Sequence, residues 1–180
     1  YTGSLRTNVA TITNSIPIRG GMARVSSELF AQSGDIHLIL GNITENEYTV
    51  ETADGRGKTR PEAMARIARV VCADTEMLSE KEIVDIANYI YKKQIRQIAE
   101  GLKQVCERIE PRFNQDTPIV VTGLGRNFLA KKSAKKVGFK RIIDLGELLG
   151  ANAALVSPSV GVALMVATKL EGRKIKWKQS

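Results

Sequence analysis

The apolar positions of this chain change rhythm from one stretch to the next. Residues 1 to 19 alternate in short β-rich runs, with Tyr1-Thr2-Gly3-Ser4-Leu5-Arg6-Thr7 reading as a strand and Ile16-Pro17-Ile18-Arg19-Gly20-Gly21 closing in a turn. From Ser26 to Leu40 the spacing of Leu29, Phe30, Ile36, Leu38, Ile39 and Leu40 predicts a helix, broken near Ser33-Gly34. Thr59-Arg60-Pro61-Glu62 is a capping box that starts a helix running to about Ala73. Ser79-Glu80-Lys81-Glu82 is a second one, opening a helix with Ile83, Ile86, Ile90, Ile95, Ile98, Leu102, Val105 and Ile109 on one stripe and Pro111 as its stop. At 1.5 Å per residue that helix spans about 45 Å, long enough to cross a whole lobe or to form the seam of a homodimer.

The rhythm changes again at Pro118-Ile119-Val120-Val121-Thr122-Gly123-Leu124-Gly125-Arg126, a β-branched run that meets two glycines and then a helical pattern ending at Gly138. Phe139 to Leu145 follows as a strand, completing a β-α-β unit. Backbone amides at such a bend, backed by a helix dipole, attract phosphate or another anion. A bend without a ligand fits the same pattern. Ser157-Pro158 opens the last helix, apolar nearly all round from Val160 to Leu170 and therefore predicted to be buried on most sides, with Gly172 ending it.

The fold class these elements predict is α/β. With 180 residues, 43% of them hydrophobic, one sizeable core or a small pair of lobes is within reach. No run has the apolar length of a membrane span. Cys72 and Cys106 stand apart with no CxxC or histidine beside them, which argues against a disulfide framework or a zinc site and for a cytoplasmic location. The chain opens without an initiator Met or a signal peptide, so the expectation is the later part of a longer protein.

A net charge of +8 raises the question of nucleic acid. Lys131, Lys132, Lys135 and Lys136 instead fall on one helix face opposite Phe128, Leu129, Ala134 and Val137, and Arg173, Lys174, Lys176 and Lys178 form the tail. With aromatics at 5%, stacking platforms for bases are scarce, so a solvated face is the better reading and no nucleic-acid partner is expected.

Chemistry can be read at few positions. His37, the single histidine, lies in an apolar segment and is expected to be a packed core residue. In Thr52-Ala53-Asp54-Gly55-Arg56-Gly57-Lys58, Asp54 and Arg56 serve either a tight turn or a pocket for Mg²⁺ and phosphate. Asp144, downstream of Gly123-x-Gly125, sits where a dinucleotide fold has its ribose-binding carboxylate, but Phe128 stands at the third glycine position. Neither a G-x-S-x-G nor a Walker A pattern occurs.

Three segments carry a resemblance to a known family. Tyr1 to Thr7, Val50-Glu51-Thr52-Ala53-Asp54-Gly55-Arg56, and Glu62 to Asp74 resemble the hydantoinase A/oxoprolinase family, most closely its archaeal branch assigned to methanofuran biosynthesis. The resemblance implies the acetate/sugar kinase, heat-shock ATPase and actin superfamily, in which two ribonuclease-H-like lobes enclose a cleft. This chain, 1–180, would be the second lobe, with a mainly helical insertion over 22–111, and inactive without its first lobe. Thr122, Gly123, Leu124, Gly125 and Arg126 would line the phosphate or nucleotide site. The reaction implied joins a furanmethyl diphosphate to the phenol oxygen of γ-glutamyltyramine and releases diphosphate. On that reading Arg6 and Arg56 contact the anion, Asp54 is a metal or base partner, and Mg²⁺ and ATP are the candidate cofactors. ATP-dependent opening of a hydantoin- or oxoproline-like ring, as in the wider family, and nucleotide binding without turnover are the alternatives.

Overall fold

The computed structural model describes residues 2–109 and 116–172, so Pro111 and the basic tail at Arg173, Lys174, Lys176 and Lys178 lie outside the described residues. The architecture is mixed α/β. An antiparallel hairpin joins β1 (Ser15–Ile18) to β2 (Gly21–Arg24), and a parallel pair joins β3 (Ile119–Val121) to β4 (Ile142–Asp144). The hairpin loop is Arg19-Gly20 with both φ angles positive, 49° and 79°, which suits the twist of a two-residue turn.

Helices supply most of the mass. α1 (Ser33–Ile39), α2 (Arg60–Arg69) and the 29-residue α3 (Glu80–Arg108) pack against one another. Ile36, Ile67, Ile83, Ile86 and Ile90 from these three helices are almost wholly buried with Val9 and Ile16. Each such side chain contributes about 1.5–3 kcal/mol by leaving water. A smaller cluster of Cys106, Ala134 and Phe139 lies where the far end of α3 meets α4 (Ala130–Val137). α5 (Leu145–Leu149), α6 (Ala151–Leu155) and α7 (Ser157–Glu171) complete the described chain.

Both capping boxes form. Thr59 and Ser79 accept from the amides of Glu62 and Glu82, whose carboxylates reach back to the cap amides. α2 ends at Arg69, short of the expected Ala73, because Val70, Val71 and Cys72 close a turn in which Cys72 takes a left-handed φ of 57°. Gly138 ends α4 in the left-handed conformation, φ 103°, as its position predicts. The α3 stripe is buried at Ile83, Ile86 and Ile90, half-buried against the core at Ile95, Ile98 and Leu102, and exposed at Val105 and Ile109.

Several expectations are corrected. Residues 4–6 form bends rather than a strand, because their neighbours' carbonyls cap a helix: Leu5 and Thr7 accept from the first amides of α1, Gly34 (3.1 Å) and Ser33 (2.8 Å). The helix expected over 26–40 is confined to α1 and begins at its predicted break. The Gly bend leads first into a 3-10 turn, Leu124–Arg126, and the α-helix starts only at Ala130. The strand after Gly138 is shorter than 139–145. The largest departure is α7, where Val162 is 61%, Met165 73% and Leu170 80% exposed. α6 is its main packing neighbour among the described residues, and an apolar sequence cannot bury itself without an opposing surface.

Candidate functional site

The residues that bring the quoted motifs together begin with the sole histidine. His37 is fully buried on α1, edge-on to Tyr91 and tilted against Phe128, with ring centroids 5.6 and 4.6 Å away. Its Nε2 meets Gln94 Oε1 at 3.1 Å and its Nδ1 meets Asn42 Nδ2 at 3.3 Å. Those partners select the neutral tautomer with the proton on Nε2, since Asn42 Nδ2 can only donate and Gln94 Oε1 can only accept. Burial lowers its pKa to about 4 despite the opposing Gln94 contact. Gln94 Nε2 in turn donates to Thr2 Oγ1 (2.8 Å) and to the Gly3 carbonyl (2.9 Å). The core histidine thus fixes, through Gln94, the first residues of the segment 2–7.

That segment touches the Gly bend. A Cβ on Gly125 would come within 2.5 Å of Ser4 Oγ, so a side chain at 125 would make the Ser4 hydroxyl turn away. At the bend, Gly123 takes φ 81°, and its amide and the Thr122 hydroxyl both donate to the Ala154 carbonyl of α6, at 3.1 and 2.9 Å. Thr122 is exposed, and Gly123, Leu124, Gly125 and Arg126 are half-buried. The Arg126 guanidinium folds back: Nη1 donates to the Gly123 carbonyl at 3.3 Å and Nε lies 3.3 Å from Asp144 Oδ1. Asp144 also caps α5 through the Gly146 amide at 2.8 Å. The buried carboxylate that a dinucleotide reading would give to a ribose is therefore already engaged by protein groups.

On its other side the segment 2–7 adjoins a buried ionic cluster. Gly34 and Ser33, held by Leu5 and Thr7, precede Asp35, whose Oδ2 accepts from the Gln32 amide at 2.9 Å. Asp35 Oδ1 accepts from Arg66 Nε (2.8 Å) and from the Tyr48 hydroxyl (3.1 Å), and all three side chains are fully buried. A Cβ on Gly34 would lie 2.6 Å from the Tyr48 ring, which makes glycine a requirement there. Arg66 Nη1 continues to Asp54 Oδ1 (3.1 Å) and the Gly57 carbonyl (3.0 Å), and Arg69 Nη1 reaches Asp54 Oδ2 at 2.9 Å. Arg66 Nη2 is buried with no hydrogen-bond partner among the described residues.

Charge follows this wiring. Burial pushes the Asp35 carboxyl up, opposed by the Gln32 amide and Arg66. It pushes the Tyr48 hydroxyl up as well, with Asp35 adding to it. Burial works against the Arg66 charge, yet Asp35 and Asp54 outweigh it and raise the guanidinium's pKa. At Asp54 desolvation acts upward, but Arg69, the Arg56 amide and Arg66 hold the carboxyl below its usual range. Asp54 is thus an ionised anchor of the 52–57 loop, in which Thr52 Oγ1 donates to the Arg56 carbonyl at 2.7 Å. The Arg56 side chain is exposed, its Nε 4.0 Å from Asp54, and Arg6 is exposed too.

Of the residues singled out in the sequence, Asp54 and Arg56 share one loop, and the bend 122–126 meets the segment containing Arg6 through Ser4. Asp35, Tyr48, Arg66 and Arg69 escaped sequence reasoning. A signal existed at Arg66, a charged residue among Ala63, Met64 and Ile67 on the apolar face of α2, which requires a buried partner. Among the described residues no group of three or more His, Cys, Asp or Glu is arranged to hold a metal ion. The carboxylates nearest the quoted motifs, Asp54 and Asp144, already face guanidinium groups.

A family model described as hydantoinase/oxoprolinase matches residues 1–169. Two similar proteins carry the same name, (4-{4-[2-(gamma-L-glutamylamino)ethyl]phenoxymethyl}furan-2-yl)methanamine synthase. The one from Methanocaldococcus jannaschii is 39% identical over 171 residues, covering 95% of this chain and 49% of the relative. The one from Methanococcus vannielii is 35% identical over 175 residues, covering 96% of this chain and 77% of the relative. The chain therefore spans about half the length of the first relative.

Proposed function

Because the chain belongs to the hydantoinase/oxoprolinase family, we propose that it acts, within a larger protein, as an alkyl transferase of methanofuran biosynthesis. It joins a furanmethyl diphosphate to the phenol oxygen of γ-glutamyltyramine. The phenol oxygen attacks the methylene carbon, the bond from that carbon to the diphosphate oxygen breaks with its electron pair, and the phenol proton passes to a base. The observation that carries this reading is the shared name of two relatives whose similarity extends over nearly the whole chain.

The chain's residues bear on two of the three tasks this displacement sets. Neutralising the departing diphosphate falls to Arg6 and Arg56, both exposed and within segments that the ionic cluster and the His37–Gln94 pair hold in place. Orienting the anion falls to the bend Thr122, Gly123, Leu124, Gly125 and Arg126, whose Gly123 amide and Thr122 hydroxyl would have to leave the Ala154 carbonyl to reach it. Asp54 is less suited to take the phenol proton, since a carboxyl held low by two arginines is a weak base at neutral pH. Its role is to set the loop that presents Arg56. A Mg²⁺ ion at Asp54 would have to displace a guanidinium, so this donor set does not fit the ion and no step runs through it.

The same proposal assigns the chain to the second lobe of an actin-like, ribonuclease-H-like pair, with 22–111 as its helical insertion and the first lobe as its intramolecular partner. The family's description favours one alternative, ATP-dependent hydrolysis of a hydantoin- or oxoproline-like ring. The two separate in one assay on the full-length protein. Ether product and diphosphate released from furanmethyl diphosphate and γ-glutamyltyramine support transfer. ADP formed with a cyclic imide, and no ether, overturns it. Arg6→Ala or Arg56→Ala should lower turnover by about a hundredfold, the loss of one charge stabiliser, and unchanged kinetics would remove that residue from the site.

A further inference from the structure

Away from the bend and the 52–57 loop, two depressions of about 530 and 440 Å³ lie between α3 and α4 and share Arg96 and Lys136. The smaller is lined by Tyr89, Lys92, Lys93, Ile95, Arg96 and Lys136, four cations and no acid. Elsewhere on α3 a lysine has an acid one turn away, Lys81 with Asp85 at 2.9 Å and Lys103 with Glu107 at 3.7 Å. Between Ile86 and Ala99, and throughout α4, neither Asp nor Glu occurs, and Glu100, one turn after Arg96, lines the larger depression and not the smaller. Lys92 and Lys93 stand four and three residues before Arg96, spacings at which like charges repel along a helix. α4 packs against this face and adds Lys136. A solvated face mixes its signs, whereas here two packed helices concentrate one sign in a hollow whose apolar walls focus the field. Lys93 is steered in addition by its ammonium resting 5.3 Å above the Tyr89 ring.

We propose that this hollow binds a diphosphate-type polyanion, with Arg96 as the forked donor and Lys92, Lys93 and Lys136 as point charges. Tyr89 and Ile95 give an apolar wall beside the anion. The site is separate from the transfer chemistry proposed above, because none of its lining residues belongs to the segment 2–7, the 52–57 loop or the bend.

The test is an amide-resolved NMR titration of the protein with inorganic diphosphate at physiological ionic strength. Saturable shifts at Tyr89, Ile95, Arg96 and Lys136 are expected. Arg96→Ala combined with Lys136→Ala should weaken that binding about tenfold or more, while Arg96→Lys with Lys136→Arg keeps most of it. Both altered residues are exposed, so thermal melts should be unchanged. ATP in place of diphosphate separates the sources: tighter binding with larger Tyr89 shifts assigns an organic phosphate, and equal binding assigns the free anion. Shifts confined to 122–126, shifts that sulfate reproduces without saturation, or binding indifferent to the double substitution would each overturn the proposal.

Discussion

The two ends of this molecule treat their apolar and charged residues in opposite ways. In the body built from α1, α2 and α3, the charged side chains Asp35 and Arg66 are sealed in and isoleucines fill the space around them. In α7 Lys169 is exposed, and Val162, Met165, Val166 and Leu170 face outward with it. A helix shows its apolar residues to water only where no surface opposes it, and a protein buries a charge only where an opposite charge meets it. The body is therefore closed with respect to itself, while α7 lacks a complement among the described residues.

Breaking the ionic cluster should have the largest effect. Arg66→Met leaves Asp35 buried without its cation and should cost about 3–5 kcal/mol in urea unfolding, and Asp35→Leu placed in the same chain should restore part of that loss. A cost below 1 kcal/mol would mean that the cluster is not the closed unit described here. Acid comes next. His37 is neutral and buried with a pKa of about 4 against 6.5 unfolded, so between those values the unfolded chain binds more protons. Stability from this group is full above pH 6.5 and falls as pH drops toward 4, by about 3 kcal/mol in all. His37→Gln should flatten that part of the pH–stability curve, and a parallel curve would refute the assignment. Loss of the α3 cap by Ser79→Ala should cost about 1 kcal/mol in a thermal melt, with little change in the native circular dichroism. Smallest of all, Met165→Lys or Leu170→Lys should shift stability by less than about 0.5 kcal/mol, because neither side chain is packed. A loss above 2 kcal/mol from either would show that α7 is covered and would erase the contrast.

Local chemistry was the most legible part of the chain. Thr59 and Ser79 with their glutamates, Gly138 after α4, and Arg19-Gly20 at the hairpin each act over three or four residues, so their partners are visible in the sequence. The His37 environment was legible as a type, a packed histidine, but its partner Gln94 sits on another helix. The candidate site was legible only as separate motifs. That Ser4 lies against Gly125, and that Asp54 is gripped by Arg66 and Arg69, depend on where α1 and α2 come to rest. The strand expected over Tyr1 to Thr7 failed for the same reason, since its carbonyls went to the end of α1 rather than to a neighbouring strand.

By itself the sequence determined the identity and the caps of the long helices, the parallel β-α-β unit around the Gly bend, and the positions where only glycine suits a left-handed turn. These rest on forces that reach no farther than one helical turn or one peptide. Only the tertiary structure decided which charges are buried, which glycines admit a neighbour's side chain, and that α7 faces outward. Burial is a property of two surfaces brought together, and a sequence names only one of them at a time.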